Sequence, residues 1–289
     1  MTTNKLKKFL LQIRNIERLS PVIRLLYSRF YFYKIIDLFD IGLYNSNYLQ
    51  LEMYFENFRK VFSDDDMFQG KIILEFGPGN SLFNAFYFLH LGAKSVYLLD
   101  KFPRQSNTLY EKEERDFFVK KFNVPYSFFR NSEEKIIFLQ GDIVDVQFPE
   151  YVDFIYSTSV LEHIKNTDSF INAITSLLKE QSYMYGFIDL RDHYNFDKPY
   201  AFLQYNDYLW QNFLTKEGVS YTNRLRVDDW KALFHKNGLK LLYTEEIGKR
   251  SDVKELKVHK KFLPKNYWVR EFFFLVQKDD KLIGEIQWH

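Results

Sequence analysis

The sequence predicts an α/β protein with a doubly wound sheet, preceded by a helical annex. From residue 70 onward, short runs of β-forming apolar residues alternate with helix-compatible segments, which is the order expected for strands joined by crossover helices. The run Ile72–Phe76 leads through Gly77-Pro78-Gly79 into an apolar segment that begins at Leu82. This succession of strand, tight turn and helix predicts a ligand site at the carboxyl end of the sheet.

The turn at Gly77 and Gly79 has the chemistry of a ligand cradle. Glycine adopts positive φ and has no Cβ, so both residues can bring peptide groups against a molecule at a helix N-terminus. Glu75 ends the buried strand, where a carboxylate needs hydrogen bonds or a positive charge. Position 81 is serine, so the third glycine of a dinucleotide fingerprint is missing.

Acids follow the next two predicted strands. Asp100 comes after the strand 95–99 and stands 21 positions beyond Gly79, close to the spacing of about 20 at which an acid reaches a ribose diol. Gly141-Asp142 follows the strand 135–139. Together with the turn, these acids indicate a nucleotide-like ligand.

In this order, the motifs resemble those of the class I S-adenosylmethionine-dependent methyltransferases over residues 70–277. The resemblance rests on Glu75-x-Gly77-x-Gly79, Asp100, Gly141-Asp142 and the stretch from Asp153 to Leu161-Glu162-His163. It implies a Rossmann-like sheet whose final strand runs antiparallel beside the fifth, with S-adenosylmethionine as cofactor. It also implies that the glycine turn contacts the methionine part, Asp100 the ribose hydroxyls and Asp142 the adenine amino group. The predicted cofactor-binding residues are Glu75, Phe76, Gly77, Pro78, Gly79, Ser81, Asp100, Gly141, Asp142, Ile143 and Ser157.

Composition excludes several function classes. The 289 residues carry a net charge of +2, which offers no global attraction for nucleic acid. The chain has no cysteine, which excludes disulfides and thiolate nucleophiles and fits a cytoplasmic protein. His235 and His259 lack partners at metal-ligand spacing, so no metal site is expected. The aromatic content of 19% is expected to fill the core.

The predicted domain organisation is a helical cap over residues 1–68 and a catalytic domain over residues 69–289. Residues 1–40 carry eight cations against three acids in an amphipathic pattern, which either packs on the catalytic domain or contacts a membrane surface. A third helix is expected near Ser46–Phe62. The charged run Glu111–Asp116 predicts a solvated helix face. The aromatic-rich insertion 191–226 predicts a lid over the acceptor, with a helix near Tyr205–Leu214.

Histidines near the strand ends are the candidate general bases, because imidazole ionises near neutral pH. His193 is the first choice since it follows the strand Tyr183–Leu190, and His163 is the second. Glu162 is expected to position either ring. The predicted acceptor contacts are Asp192, Tyr194 and Arg224, and Arg191 and Arg226 are further candidates for gripping an anionic group.

The sequence thus predicts methyl transfer from S-adenosylmethionine to a small-molecule or glycan-like acceptor, at oxygen, with a histidine base. Ser157-Thr158-Ser159-Val160 replaces the Asn/Asp-Pro-Pro-Tyr motif of enzymes that methylate amino groups of DNA bases. An NAD-binding oxidoreductase is one alternative, disfavoured by the missing third glycine and by Gly141-Asp142. The other is a non-enzymatic membrane-surface or interaction protein on a degenerate fold. The identity of the acceptor and the oligomeric state stay open.

Overall fold

A computed structural model describes residues 48–62, 65–105, 108–193, 198–215, 221–253, 257–263 and 265–279. The predictions about the basic segment 1–40 and about Tyr194 lie outside these residues. Within them, no helix is both long enough and apolar enough to cross a membrane.

A single mixed sheet organises the described chain. Its strands follow the order β3-β2-β1-β4-β5-β7-β6. Strands β1 to β5 are parallel, and β7 runs antiparallel between β5 and β6. Their bounds are β1 Ile72–Phe76, β2 Ser95–Asp100, β3 Ile136–Gln140, β4 Val152–Thr158, β5 Leu178–Asp189, β6 Leu239–Ile247 and β7 Glu271–Lys278. The predicted doubly wound sheet with an antiparallel last strand is confirmed, and its order reverses between β1 and β4, where such sheets bind ligands.

Helices cover both faces of the sheet. Their bounds are α1 Tyr48–Val61, α2 Phe83–His90, α3 Thr108–Phe122, α4 Ser127–Glu133, α5 Thr167–Leu177 and α6 Val227–Lys236. The sequence pattern predicts a helix over Asp168–Lys179, and α5 ends two residues before that bound. Strand β5 starts at Leu178 rather than at the predicted Tyr183. The reason is tertiary, because Leu178 turns into an extended conformation and pairs with Val152 on β4.

Aromatic side chains fill much of the core. Phe58 of α1 lies edge-on to Tyr156 of β4 and Tyr185 of β5, with ring centroids 5.9 and 5.3 Å apart, respectively. Phe83 and Phe118 join α2 to α3 on the same face, at 5.4 Å. The expectation that the rings serve mainly as core is confirmed for these helices. Edge-to-face pairs of this kind add about 0.5–1.5 kcal/mol each beyond burial.

The segment between β5 and α6 forms a small cluster of its own. A turn of 3₁₀ helix at Ala201–Gln204 is followed by one α-helical turn at Asp207–Leu209 that widens into a π-helical segment, Trp210–Leu214. The helix expected near Tyr205–Leu214 is therefore present but irregular. The segment's apolar side chains Tyr200, Phe202, Leu203 and Trp210 form one cluster with Val253 and Phe262, which follow β6.

Candidate active site

The glycine turn after β1 has the backbone that its sequence requires. Gly77 and Gly79 both have positive φ, +73° and +60°. The Gly77 amide donates to the Leu99 carbonyl at 2.8 Å, which joins the turn to β2. A Cβ on Gly77 would lie 2.2 Å from Cγ2 of Val160, whereas a Cβ on Gly79 would meet nothing within 4 Å. Gly77 therefore serves close packing, and Gly79 borders open space where a ligand fits.

Asp100 links the turn to the next two loops. Its Oδ2 accepts from the Gly79 amide at 3.1 Å and its Oδ1 from the Phe102 amide at 2.9 Å. The Gly141 amide donates to the Asp100 carbonyl at 3.0 Å. Burial raises the pKa of the Asp100 carboxyl above its ordinary value. The fold thus gathers the predicted cofactor acids of β2 and β3 beside the glycine turn.

The loop after β3 presents one polar and one apolar side chain. Asp142 is exposed, and its Oδ1 accepts from the Val144 amide at 3.3 Å. Ile143 is buried among the apolar side chains on the α5 face of the sheet. An exposed acid beside a buried aliphatic residue is compatible with the role that the resemblance implies for this loop.

Ser81 and Ser157 direct their hydroxyls into the protein. Ser81 Oγ donates to Glu114 Oε2 at 2.5 Å and accepts from the Phe83 amide at 3.1 Å, so it fixes the start of α2. Ser157 Oγ donates to the Phe76 carbonyl at 3.0 Å across β4 and β1. Cofactor contact by either hydroxyl stays a prediction.

Glu114 corrects the expectation of a solvated charge run on α3. Its side chain is buried, with Oε1 accepting from the Leu82 amide at 2.9 Å. The backbone amides at the start of α2 have no acceptor within that helix, and Glu114 on the next helix, α3, supplies one. Sequence periodicity missed this residue because α3 is charged on several sides.

Glu75 is the buried acid closest in sequence to the turn. Its Oε1 accepts from Asn84 Nδ2 of α2 at 2.7 Å, and its Oε2 is buried without a hydrogen-bond partner. Burial, reinforced by the neighbouring Glu114 and Asp100, raises the pKa of Glu75 to about 8. S-adenosylmethionine carries a sulfonium and an ammonium group, so the acidic surroundings of the turn suit it. The orphaned oxygen and the open space at Gly79 both fit that cofactor.

Two histidines meet beyond the carboxyl ends of β4 and β5. The rings of His163, after β4, and His193, after β5, have centroids 4.9 Å apart. His163 Nδ1 lies 2.5 Å from the Tyr221 carbonyl, which can only accept, so Nδ1 carries the hydrogen. Burial, and then the proximity of His193, lower the pKa of His163 to about 3. His163 is therefore neutral at pH 7.

Asp189 at the end of β5 is a functional candidate that sequence reasoning missed. Its Oδ2 lies 3.4 Å from His193 Nε2, and Arg191 binds both of its oxygens at 2.8 and 2.6 Å. Burial alone would raise the pKa of Asp189, but the contacts with His193 and Arg191 outweigh it and hold the pKa below its ordinary value. The signal available in the sequence was an acid at the penultimate position of the predicted strand Tyr183–Leu190.

Glu162 lies beside Asp189 and His163, and no cation pairs with its carboxyl among the described residues. Its Oε1 accepts from the Asp189 amide at 3.3 Å and lies 3.9 Å from His163 Nε2, while Oε2 is buried without a partner. Burial, and then the negative charge of Asp189, raise the pKa of Glu162 well above its ordinary value. Glu162 therefore contacts both neighbours, and its carboxyl keeps its proton to a higher pH than an ordinary glutamic acid.

The three predicted acceptor contacts are placed differently. Asp192 is fully buried, and its amide donates to the Pro199 carbonyl at 2.8 Å. Arg224 is buried within the lid segment, where its guanidinium donates to the Phe202 and Tyr205 carbonyls at 3.0 and 2.8 Å. Tyr194 lies outside the described residues. Acceptor binding by all three stays a prediction.

Two further arginines serve structure in this region. Arg226 is buried, and its guanidinium donates to the carbonyls of Leu190, Tyr267 and Val269. Burial lowers the pKa of Arg226 to about 10. Arg191 is engaged with Asp189, so its contribution here is to the ionised state of that acid.

Comparisons with known proteins agree with this architecture. The sequence profile of a methyltransferase domain family matches residues 49–244, well over half of the chain. No curated protein sequence matches significantly.

The solved structures to which this chain is similar include those of two methyltransferases. An S-adenosylmethionine-dependent methyltransferase from Mesorhizobium loti is 13% identical, with a TM-score of 0.45 over 73% of this chain and 92% of that one. The magnesium protoporphyrin IX methyltransferase from Synechocystis PCC 6803, solved with bound SAH, is 12% identical, with a TM-score of 0.46 over 81% and 88%. Family membership rests on the domain match, and this chain belongs to the class I methyltransferases, enzymes whose cofactor is S-adenosylmethionine.

Proposed function

We propose that this methyltransferase acts on an oxygen of a small-molecule or glycan-like acceptor, with His193 as general base. The observation that carries the proposal is the contact between His193 and the ionised Asp189 at the carboxyl end of β5. This end of the sheet is where ligands of open α/β folds bind.

S-adenosylmethionine supplies an electrophilic methyl group on a sulfonium, which leaves as a neutral thioether. The protein aligns the acceptor oxygen with that methyl in a dry crevice. His193 takes the hydroxyl proton as the oxygen forms its bond to carbon. The Asp189 carboxylate, with Oδ2 3.4 Å from His193 Nε2, stabilises the imidazolium that results.

His193 suits this role better than His163. His163, with a pKa of about 3, is a weak base. Protonating it costs roughly 5 kcal/mol more free energy than protonating an ordinary imidazole. Nδ1 of His163 is also engaged by Tyr221. We infer that His163 supports the end of the lid through its contact with Tyr221.

The lid over residues 191–226 is proposed to cover the acceptor. The support is a seam of hydrogen bonds that ties its end to the loop after β4. The Asn223 amide donates to the Glu162 carbonyl at 2.8 Å, and Asn223 Nδ2 donates to the carbonyls of Leu161 and Ile164 at 2.8 and 3.0 Å. The polar groups near the carboxyl ends of β4 and β5, Glu162, Asp189 and Arg191, support the proposal of a hydroxyl-rich acceptor.

Residues 1–68 are proposed as a cap on a catalytic domain that spans residues 69–289. Helix α1 lies in the described part of that cap and supports its packing on the catalytic domain, because it contributes Tyr54 and Phe58 to the core beside β4 and β5. The Tyr54 hydroxyl is 2.9 Å from Ser159 Oγ in the loop after β4. We also propose a cytoplasmic location, which the lack of cysteine supports.

The test is a methyl-transfer screen of cell-extract fractions with tritiated S-adenosylmethionine. We expect label in a methyl ether, because a hydroxyl acceptor has a proton for the base to take, and label found solely on nitrogen or carbon would refute transfer to oxygen. With the acceptor in hand, His193→Gln should lower turnover about 10²–10⁴-fold and leave cofactor affinity nearly unchanged. His235→Gln, an exposed histidine on α6, is the matched control and should keep full turnover. Full turnover of the His193 variant would exclude it as the base.

A further inference from the structure

The glycine turn is surrounded by acids. Glu75 faces Asn84 from α2, Glu114 from α3, Asp100 from β2 and Tyr156 from β4. Among the described residues, no lysine or arginine forms an ion pair with Glu75. A carboxylate in that setting would carry an uncompensated buried charge, which costs several kcal/mol.

Asn84 determines how the Glu75 carboxyl is held. Its amide donates to Oε1 at 2.7 Å from the first turn of α2 and leaves Oε2 buried, with no hydrogen-bond partner. A buried oxygen without a partner needs a group that satisfies it, and Gly79, four residues along the chain, borders open space in which a ligand could bring one.

We propose that Glu75 is a neutral acid in the free enzyme and that cofactor binding ionises it, so that one proton leaves the site for each cofactor bound. The O–H bond of Glu75 breaks, the proton goes to solvent, and the carboxylate, still held by Asn84, pairs with a cationic group of the cofactor. This inference rests on the cofactor and is independent of the base proposed above.

The size of the effect follows from the titration of Glu75. With a pKa of about 8, about 0.9 of the molecules hold this proton at pH 7 and about 0.1 at pH 9. Binding should therefore release about 0.9 proton at pH 7 and about 0.1 at pH 9. Cofactor affinity should rise by up to about tenfold per pH unit below pH 8 and then level off.

Calorimetry of the full-length enzyme measures this release directly. S-adenosylmethionine is titrated into the protein in phosphate and in Tris, which differ in enthalpy of ionisation, and the difference in binding heat gives the number of protons. A Glu75→Gln variant should lose the release at pH 7, whereas Asp145→Asn, an exposed acid after β3, should keep it. Equal heats in both buffers for the unmodified enzyme, or an unchanged release in Glu75→Gln, would overturn the proposal.

S-adenosylhomocysteine identifies the cation involved, since it keeps the ammonium but lacks the sulfonium. Release with both compounds supports pairing with the ammonium, and release with S-adenosylmethionine alone supports the sulfonium. If Glu75→Gln fails to fold, infrared difference spectra of the unmodified enzyme decide the question. Loss of a protonated-carboxyl band on cofactor binding at pH 7 is expected, and an unchanged band refutes the proposal. Neither measurement involves an acceptor, so a failure here leaves His193 untouched.

Discussion

Alanine at Gly77 should destabilise the fold, whereas alanine at Gly79 should weaken cofactor binding. Both residues have positive φ, which costs alanine about 1–2 kcal/mol. At Gly77 the new Cβ would also lie 2.2 Å from Cγ2 and 3.0 Å from Cγ1 of Val160. Overpacking of that kind costs about 1–3 kcal/mol. The expected losses in free energy of unfolding are about 2–5 kcal/mol for Gly77→Ala and about 1–2 kcal/mol for Gly79→Ala.

Denaturant unfolding of both variants, with calorimetry of S-adenosylmethionine binding, measures the two effects. The Cβ of Gly79→Ala would enter the space assigned to the cofactor, so this variant should lose more affinity than stability. Val160→Ala removes the clashing methyl groups and should restore part of the stability of Gly77→Ala.

A double-mutant cycle separates this contact from strain in the turn. The coupling between Gly77→Ala and Val160→Ala should be about 1–3 kcal/mol, the size of the overpacking cost. Equal unfolding losses in the two glycine variants, or additive losses in the double variant, would refute the assignment of Gly77 to packing against Val160.

Two further predictions concern the buried ionisable groups. Glu162→Gln keeps an acceptor for the Asp189 amide and removes the cost of neutralising a buried acid, so at pH 7 this variant should be at least as stable as the unmodified enzyme. Glu162→Ala should lose about 1–3 kcal/mol of unfolding free energy. A Gln variant less stable than the Ala variant would contradict the raised pKa of Glu162. The folded-state pKa of His163, about 3, lies below the unfolded value of about 6.5, so its contribution is fully present above pH 6.5 and is lost as pH falls towards 3. The stability difference between the unmodified enzyme and His163→Gln, measured by unfolding from pH 4 to 8, should therefore rise with pH by up to about 1.4 kcal/mol per unit, and a flat difference would mean that burial leaves this imidazole unperturbed.

Local pattern was enough for much of the sheet. Strand β1, its glycine turn and helix α2 follow from an apolar run, two glycines and an apolar helix, and all three lie within a few residues of their predicted bounds. Such elements form where local propensity and burial agree. The bounds of α5 and β5 differ because the pairing of Leu178 with β4 decides where the helix ends.

The sequence by itself therefore determined the class of fold, the cofactor and the positions of Glu75, Asp100, Asp142, His163 and His193, because strand ends and turn residues are local signals. Only the tertiary structure decided how the ionisation of the buried acids in this region is shifted. Glu75 and Glu162 are buried without cations, whereas Asp189 gains His193 and Arg191. Burial and charge partners depend on residues far apart in the chain, and a residue's ionised state in a protein is set by them rather than by its sequence neighbours.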